Sequence, residues 1–171
     1  MLSMRRRNCK WDSQANYSGI GEMRNAEHFL FYREDLSNDI VELEGAEARH
    51  AVTALRCRPG DGIRMTDGRG ILARCEMEFC STNQCRGRVV ERIKTESPAP
   101  AVHLMVGLPE RDAFERLIEN VTPLGVRSIT PLICGRCQRK WWAKGWERYR
   151  DRLHRKMVAG IKQAQSAWLP H

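Results

Sequence analysis

The sequence predicts an α+β / α/β protein: a small β-rich barrel, then a parallel strand–helix–strand unit that runs into a long helix. Three observations carry this reading. Residues 28–94 alternate short apolar runs with turn residues, the stretch from His103 to Ile133 reads strand, helix, strand, and an apolar stripe at helical spacing follows from Trp142. A chain of 171 residues with 42% apolar side chains is long enough for two small domains, each with a modest core.

Residues 1–22, MLSMRRRNCKWDSQANYSGIGE, have neither helical nor strand periodicity. A polar segment without apolar spacing cannot bury enough surface to fold, so this is expected to be a disordered leader, with Met23 as an alternative start. Arg5–Arg7 also fits a basic arm; no apolar segment of 7–15 residues follows it, so a signal peptide is not expected. With no apolar run of about 20 residues, no membrane span is expected either, and the expected location is cytoplasmic.

Residues 23–96 form the predicted barrel. HFLFY is a strand and Ile40–Leu43 another; Ala48, Ala51, Val52 and Leu55 share one face of a short helix over Ala46–Leu55. Arg58-Pro59-Gly60-Asp61 is turn chemistry. Asp67-Gly68 signals a hairpin between strands at Ile63–Met65 and Ile71–Met77, and Arg86–Ile93 supplies the closing strand. Ser97-Pro98-Ala99-Pro100 is a stiff linker and marks the boundary.

Residues 101–171 form the second unit. His103–Leu108 has the length and composition of a buried strand. Phe114, Leu117, Ile118 and Val121 make one apolar stripe of a helix, Gly125 is a natural C-terminal cap, and Ser128–Ile133 is the second strand. Short connections in this order demand parallel strands. Trp142, Trp146, Tyr149, Leu153, Met157 and Ile161 then mark one face of a long helix, expected to be core, with Arg148, Arg152, Arg155, Lys156 and Lys162 opposite.

Charge is unevenly distributed. Residues 1–22, 23–100 and 101–171 carry net +2, −1 and +7, within a formal +8. A cationic surface confined to one region is the electrostatic footprint of a polyanion. The seven cysteines suggest no metal: Cys134-Gly-Arg-Cys137 has no second pair, and Cys75, Cys80 and Cys85 are five apart. The CxxC follows a strand, which leaves redox chemistry open. His50 lies beside neither a carboxylate cluster nor a cysteine pair, and a packing or hydrogen-bonding role is expected for it. The sequence has no GxxxxGK[ST], GxSxG, HExxH or GxGxxG, so it offers no catalytic residue by motif.

Five segments in order carry a family resemblance: RHAVTALRCRPGD and TDGRG; then LPERDAFERLIEN; then PLGVRSITPLI with CGRCQRK; and last GIKQAQSAWLP. Together they resemble the RsmE-type ribosomal RNA methyltransferases. The resemblance implies a PUA-like barrel over 23–96 and the first part of a SPOUT-type α/β methyltransferase domain over 101–171. It also implies transfer of a methyl group from S-adenosyl-L-methionine (SAM) to N3 of a uridine in small-subunit ribosomal RNA, by an enzyme that is a homodimer when intact. The family's glycine-rich SAM pocket and knot lie beyond the matched segments, so the chain alone is expected to be inactive. Pro123 replaces a usual Glu and is expected to end the helix early. Asn120 replaces a usual Lys, and Cys137 a usual Ser.

Methylation of N3 needs the RNA held in place, and that is the part this sequence supplies. The expected RNA-binding residues are Arg49, Arg56, Arg58 and Arg69 on the barrel, and Arg136, Arg139 and Lys140 after the second strand. The arginine fork binds phosphate bidentately and its plane stacks on bases. Three readings stand: the first part of a methyltransferase, an RNA-binding module without catalysis, and a fragment that pairs with a chain carrying the knot.

Overall fold

The computed structural model describes residues 29–137 and 145–171. Expectations for the leader, the alternative start, Arg139, Lys140 and Trp142 therefore fall outside the described residues.

The first unit is a curled, mixed five-stranded sheet. Its strands are β1 (Leu30–Tyr32), β2 (Ile40–Glu44), β3 (Gly62–Thr66), β4 (Ile71–Cys80) and β5 (Gln84–Lys94), in the order β1-β3-β4-β5-β2. All neighbours are antiparallel except β1 and β3, which pair in parallel. The sheet is a half-barrel, with β1 and β2 as its edges. The Arg33 guanidinium, just past β1, donates to the backbone oxygen of Glu42 in β2 and links the two edges by a side chain. Inside, Phe31, Val41, Ile63, Met65 and Met77 are at most 2% exposed. Each such side chain contributes about 1.5–3 kcal/mol by leaving water.

The helical segment expected over Ala46–Leu55 forms at Gly45–Ala54, and its second half is wider than an α-helix. Helix α1 (Gly45–Arg49) passes into a π-turn at His50–Ala54, where the Leu55 amide reaches back to the His50 oxygen at 3.2 Å. Both Ala48 and Ala51 are fully buried against the sheet. The β3–β4 connection is closed by Asp67, whose carboxylate accepts from the amides of Arg69 and Ile71 at 2.7 and 3.0 Å.

The second unit begins with β6 (His103–Gly107), α2 (Arg111–Val121) and β7 (Ser128–Leu132), and β6 pairs with β7 in parallel from His103↔Ser128 to Gly107↔Leu132. Helix α2 stops at Val121. Pro123 sits in a single 3-10 turn, and Gly125 caps it at φ 79°, a left-handed value natural to glycine. Helix α3 (Trp146–Ala164) runs alongside α2 in the same direction. The Tyr149 hydroxyl donates to Arg111 O at 2.8 Å, Arg152 meets Glu115 at 2.8 Å, and Gly160 lies against Thr122. Phe114, Ile118, Ile129, Tyr149 and Leu153 form the core between helices and strands. Among the described residues nothing covers one face of β6–β7, where Met105 is 66% exposed.

The last six residues join the units. Gly70 and Leu169 donate their amides to Ala167 O and Gly68 O at 2.9 and 2.7 Å, and Trp168 Nε1 donates to Glu96 O at 3.0 Å. The Trp168 ring packs on Gly70 and lies 4.8 Å from the Arg127 guanidinium. Lys162 completes the junction with two hydrogen bonds to the Glu47 carboxylate, at 2.7 and 2.8 Å.

Candidate nucleic-acid interface

Three of the expected arginines flank one helical segment. Arg49 ends α1, Arg56 follows the π-turn and Arg58 starts the turn into β3, where its amide donates to Asp61 at 2.8 Å. All three side chains are exposed, and none has an acidic partner among the described residues. Arg56 holds φ at 55°, in the left-handed region. A non-glycine residue there costs on the order of 1–3 kcal/mol, and such strain tends to collect where a side chain must be aimed.

Arg69 stands apart. The Gly60 amide, two residues past Arg58, bonds to Met77 O, whereas Arg69 precedes the other end of β4 at Ile71. Six residues of strand span about 20 Å. Arg69 is also ion-paired to Glu34 at 3.1 Å, although both side chains are largely exposed. Such a surface pair is worth only about 0–1 kcal/mol and opens readily for a phosphate.

On the second unit, Arg136 is exposed in the Cys134–Cys137 turn, beyond the carboxyl end of β7. The cationic face read on α3 divides in two. Arg152 and Lys156 both hold the carboxylate of Glu115, a residue 5% exposed, and Lys156 also pairs with Glu119. Lys162 is held by Glu47. Arg148 and Arg155 are exposed and have no acidic partner among the described residues. Sequence reasoning placed all five on one face but could not separate the paired from the free, because the acidic partners lie on other elements.

The six described cysteines are free thiols. Burial pushes Cys75 up to about 12 and raises Cys57. Cys134 is also raised, by loss of solvation and then by the neighbouring Cys137 thiol. Within the turn the Cys137 amide donates to Cys134 O at 3.1 Å. Among the described residues, no group of three or more His, Cys, Asp or Glu side chains is arranged to hold a metal, and no helix is long and apolar enough to cross a membrane.

Two family models match the chain: an RNA methyltransferase PUA domain over residues 43–90, and an RNA methyltransferase domain over 95–171. The ribosomal RNA small subunit methyltransferase E of Mycobacterium bovis is 29% identical over 143 residues, which is 82% of this chain and 55% of that protein. The Bacillus subtilis protein of the same name is 29% identical over 64% of this chain and 43% of its own length. The chain thus spans about half the length of the curated relatives it matches. Among solved structures, a Neisseria gonorrhoeae protein of that name, bound to S-adenosyl methionine, superposes with a TM-score of 0.67 at 20% identity. The match covers 83% of this chain and 59% of that one. This likeness establishes the fold, a PUA-like curled sheet followed by an α/β unit.

Proposed function

Because the chain belongs to the RsmE-type ribosomal RNA methyltransferase family, we propose that it is the RNA-gripping part of an enzyme that methylates N3 of a uridine in small-subunit ribosomal RNA with SAM. In this reading residues 23–96 are the PUA-like RNA-binding unit and 101–171 the first part of the methyltransferase unit. The observation that carries the gripping role is the exposed, unpaired trio Arg49, Arg56 and Arg58, with Arg136 on the second unit. Arg69, Arg139 and Lys140 extend the same proposal. The intact enzyme is proposed to be a homodimer acting in the cytoplasm.

The described residues do not by themselves fit SAM. Open α/β sheets bind ligands beyond the carboxyl ends of their strands. At that edge of β6–β7 the described residues present Leu132 and Ile133, 36% and 68% exposed, with Arg136 exposed in the turn beyond them. Two cavities lined by described residues lie elsewhere, at the β1–α3 junction and along α2–α3. We therefore assign no catalytic residue, and the 171-residue chain is expected not to transfer methyl groups alone.

Binding of the chain to small-subunit ribosomal RNA across a salt series tests the proposal. Log K should fall steeply with log salt. Replacing Arg49, Arg56 and Arg58 by Ala should flatten the slope by about 0.7–0.9 for each phosphate no longer neutralised. An unchanged slope would reduce the trio to solvated side chains. Calorimetric titration with SAM should show no micromolar binding; a micromolar Kd would overturn the reading that this chain does not hold SAM by itself.

A further inference from the structure

A cavity of about 330 Å³ separates the β1 edge from the carboxyl end of α3. Its volume is at the lower end of ordinary ligand sites, about 300–1,000 Å³. Phe29, 42% exposed, meets the His50 ring edge-on, with centroids 6.3 Å apart and an interplanar angle of 79°. Phe31 is buried beside them, and the Lys162 ammonium lies 5.4 Å from the centre of its ring. That ammonium is already neutralised by both oxygens of Glu47. The cleft is thus aromatic and close to neutral, which suits a flat uncharged ring better than a phosphate.

Polar groups at its rim divide the same way. The Gln165 amide is fully engaged, donating to Lys162 O at 2.9 Å and accepting from Arg64. Gln163 and His50, both exposed and lining the cavity, have no side-chain hydrogen-bond partner among the described residues. An amide beside an imidazole can meet both donors and acceptors on the edge of a base. Gln163 also lines a second cavity, of about 490 Å³, whose wall carries the cations Arg152, Arg155 and Lys156 together with Glu119. Arg155 is the member of that trio without an acidic partner among the described residues. A neutral aromatic cleft therefore adjoins a groove in which Arg155 is the cation without an acidic partner among the described residues, with Gln163 between them.

We infer that the cleft takes one unstacked base of a single-stranded RNA segment, stacked on Phe29 and read by His50 and Gln163, while the adjoining phosphate lies over Arg155. This deepens the RNA-binding reading and rests on it. A base has a π-face whatever its identity, so stacking on an exposed phenyl ring is the dominant attraction, and the free amide and imidazole add preference among bases.

The test is fluorescence anisotropy of the full 171-residue chain with a short single-stranded RNA, intact or carrying one abasic position, across a salt series. Phe29→Ala should weaken binding on the order of tenfold with no change in salt slope, and Phe29→Trp should restore it. Scanning the abasic position should reveal one site that costs a similar factor and is insensitive to Phe29→Ala. Arg155→Ala should flatten the salt slope by about 0.7. Circular dichroism checks the fold, and Phe29→Leu, which keeps the apolar bulk but not the ring face, should bind as weakly as Phe29→Ala. If folded Phe29→Ala and Phe29→Leu bind like the parent while the Arg49, Arg56 and Arg58 variant loses affinity, the cleft inference fails and the RNA reading survives. If the parent chain binds no RNA, both fail.

Discussion

The backbone amide of Ile129 donates to the carbonyl oxygen of His171 at 2.9 Å, and the His171 amide donates to Arg127 O at 3.1 Å. This is the hydrogen-bond register of a parallel neighbour opposite Ser128. On the other edge of β7, Leu108 donates to Leu132 O at 2.8 Å, so alternation places Ile129 and His171 on the side away from β6. Pro131 faces that same outer side, where its missing donor costs the β6–β7 ladder nothing. His171 therefore lies beside β7, bonded to its outer edge through both its amide and its carbonyl.

A parallel sheet is ordinarily covered on both faces, and here no described residue covers one of them. Met105 and Leu132, which share that face by the β6–β7 register, are 66% and 36% exposed. The chain should self-associate as its concentration rises, and Met105→Glu combined with Leu132→Lys should return it to monomer without lowering its melting temperature. Sedimentation velocity measures this; a parent chain that is monomeric throughout would contradict it.

Gly70 has φ +103°, and a Cβ there would sit 2.5 Å from Trp168 Cζ2. Gly70→Ala should cost about 3 kcal/mol, combining backbone strain with overpacking. Gly60 has φ +90° but nothing within 4 Å, so Gly60→Ala should cost about 1 kcal/mol. Chemical denaturation compares the pair; equal losses would show that Trp168 moves aside freely.

Relieving the left-handed strain at Arg56 should separate stability from binding. Arg56→Gly is expected to gain about 0.5–1 kcal/mol net, since glycine's greater unfolded-state entropy offsets part of the relief. The same substitution should weaken RNA binding and flatten its salt slope. A variant that gains stability and binds unchanged would remove Arg56 from the interface.

Burial, and then the nearby Glu115 carboxylate, push the Tyr149 phenol up to about 12. In the unfolded chain a phenol ionises near 10, so the folded state holds the proton more tightly. That stabilisation is complete below about pH 10 and is lost as pH rises towards 12. Denaturation at pH 8 and pH 11 should show a drop that Tyr149→Phe reduces, and the phenolate absorbance assigned to Tyr149 should have its midpoint near 12. A midpoint near 10 would mean the hydroxyl is solvated.

Local periodicity determined which elements form and which way each one faces. Phe114 and Ile118 end at 2% and 3% exposure because a 3.6-residue repeat can bury only one side. The same rule places Tyr149, Leu153 and Ile161 inside. The parallel β6–β7 pair followed from short connections, and Pro123 with Gly125 ended α2 by backbone geometry alone. Each of these depends on residues within a few positions of one another, where steric and hydrophobic terms are large compared with the alternatives.

Tertiary structure decided what long-range placement decides. The parallel pairing of β1 with β3, the docking of 166–171 on Gly68 and Gly70, and the face of β6–β7 that no described residue covers all depend on packing between distant segments. So does the sorting of cations. Lys162 is neutralised by Glu47, 115 residues away, while Arg155 on the same helix is left free, and spacing along α3 contains no trace of the difference. The cleft of Phe29, His50 and Gln163 has the same origin. Its three side chains come from a strand edge, a π-turn and the end of α3, and only the fold brings them to one cavity. Ion pairs and open clefts are worth little in free energy beside core burial, so the chain's apolar pattern predicts the frame and leaves the surface chemistry to the assembled structure.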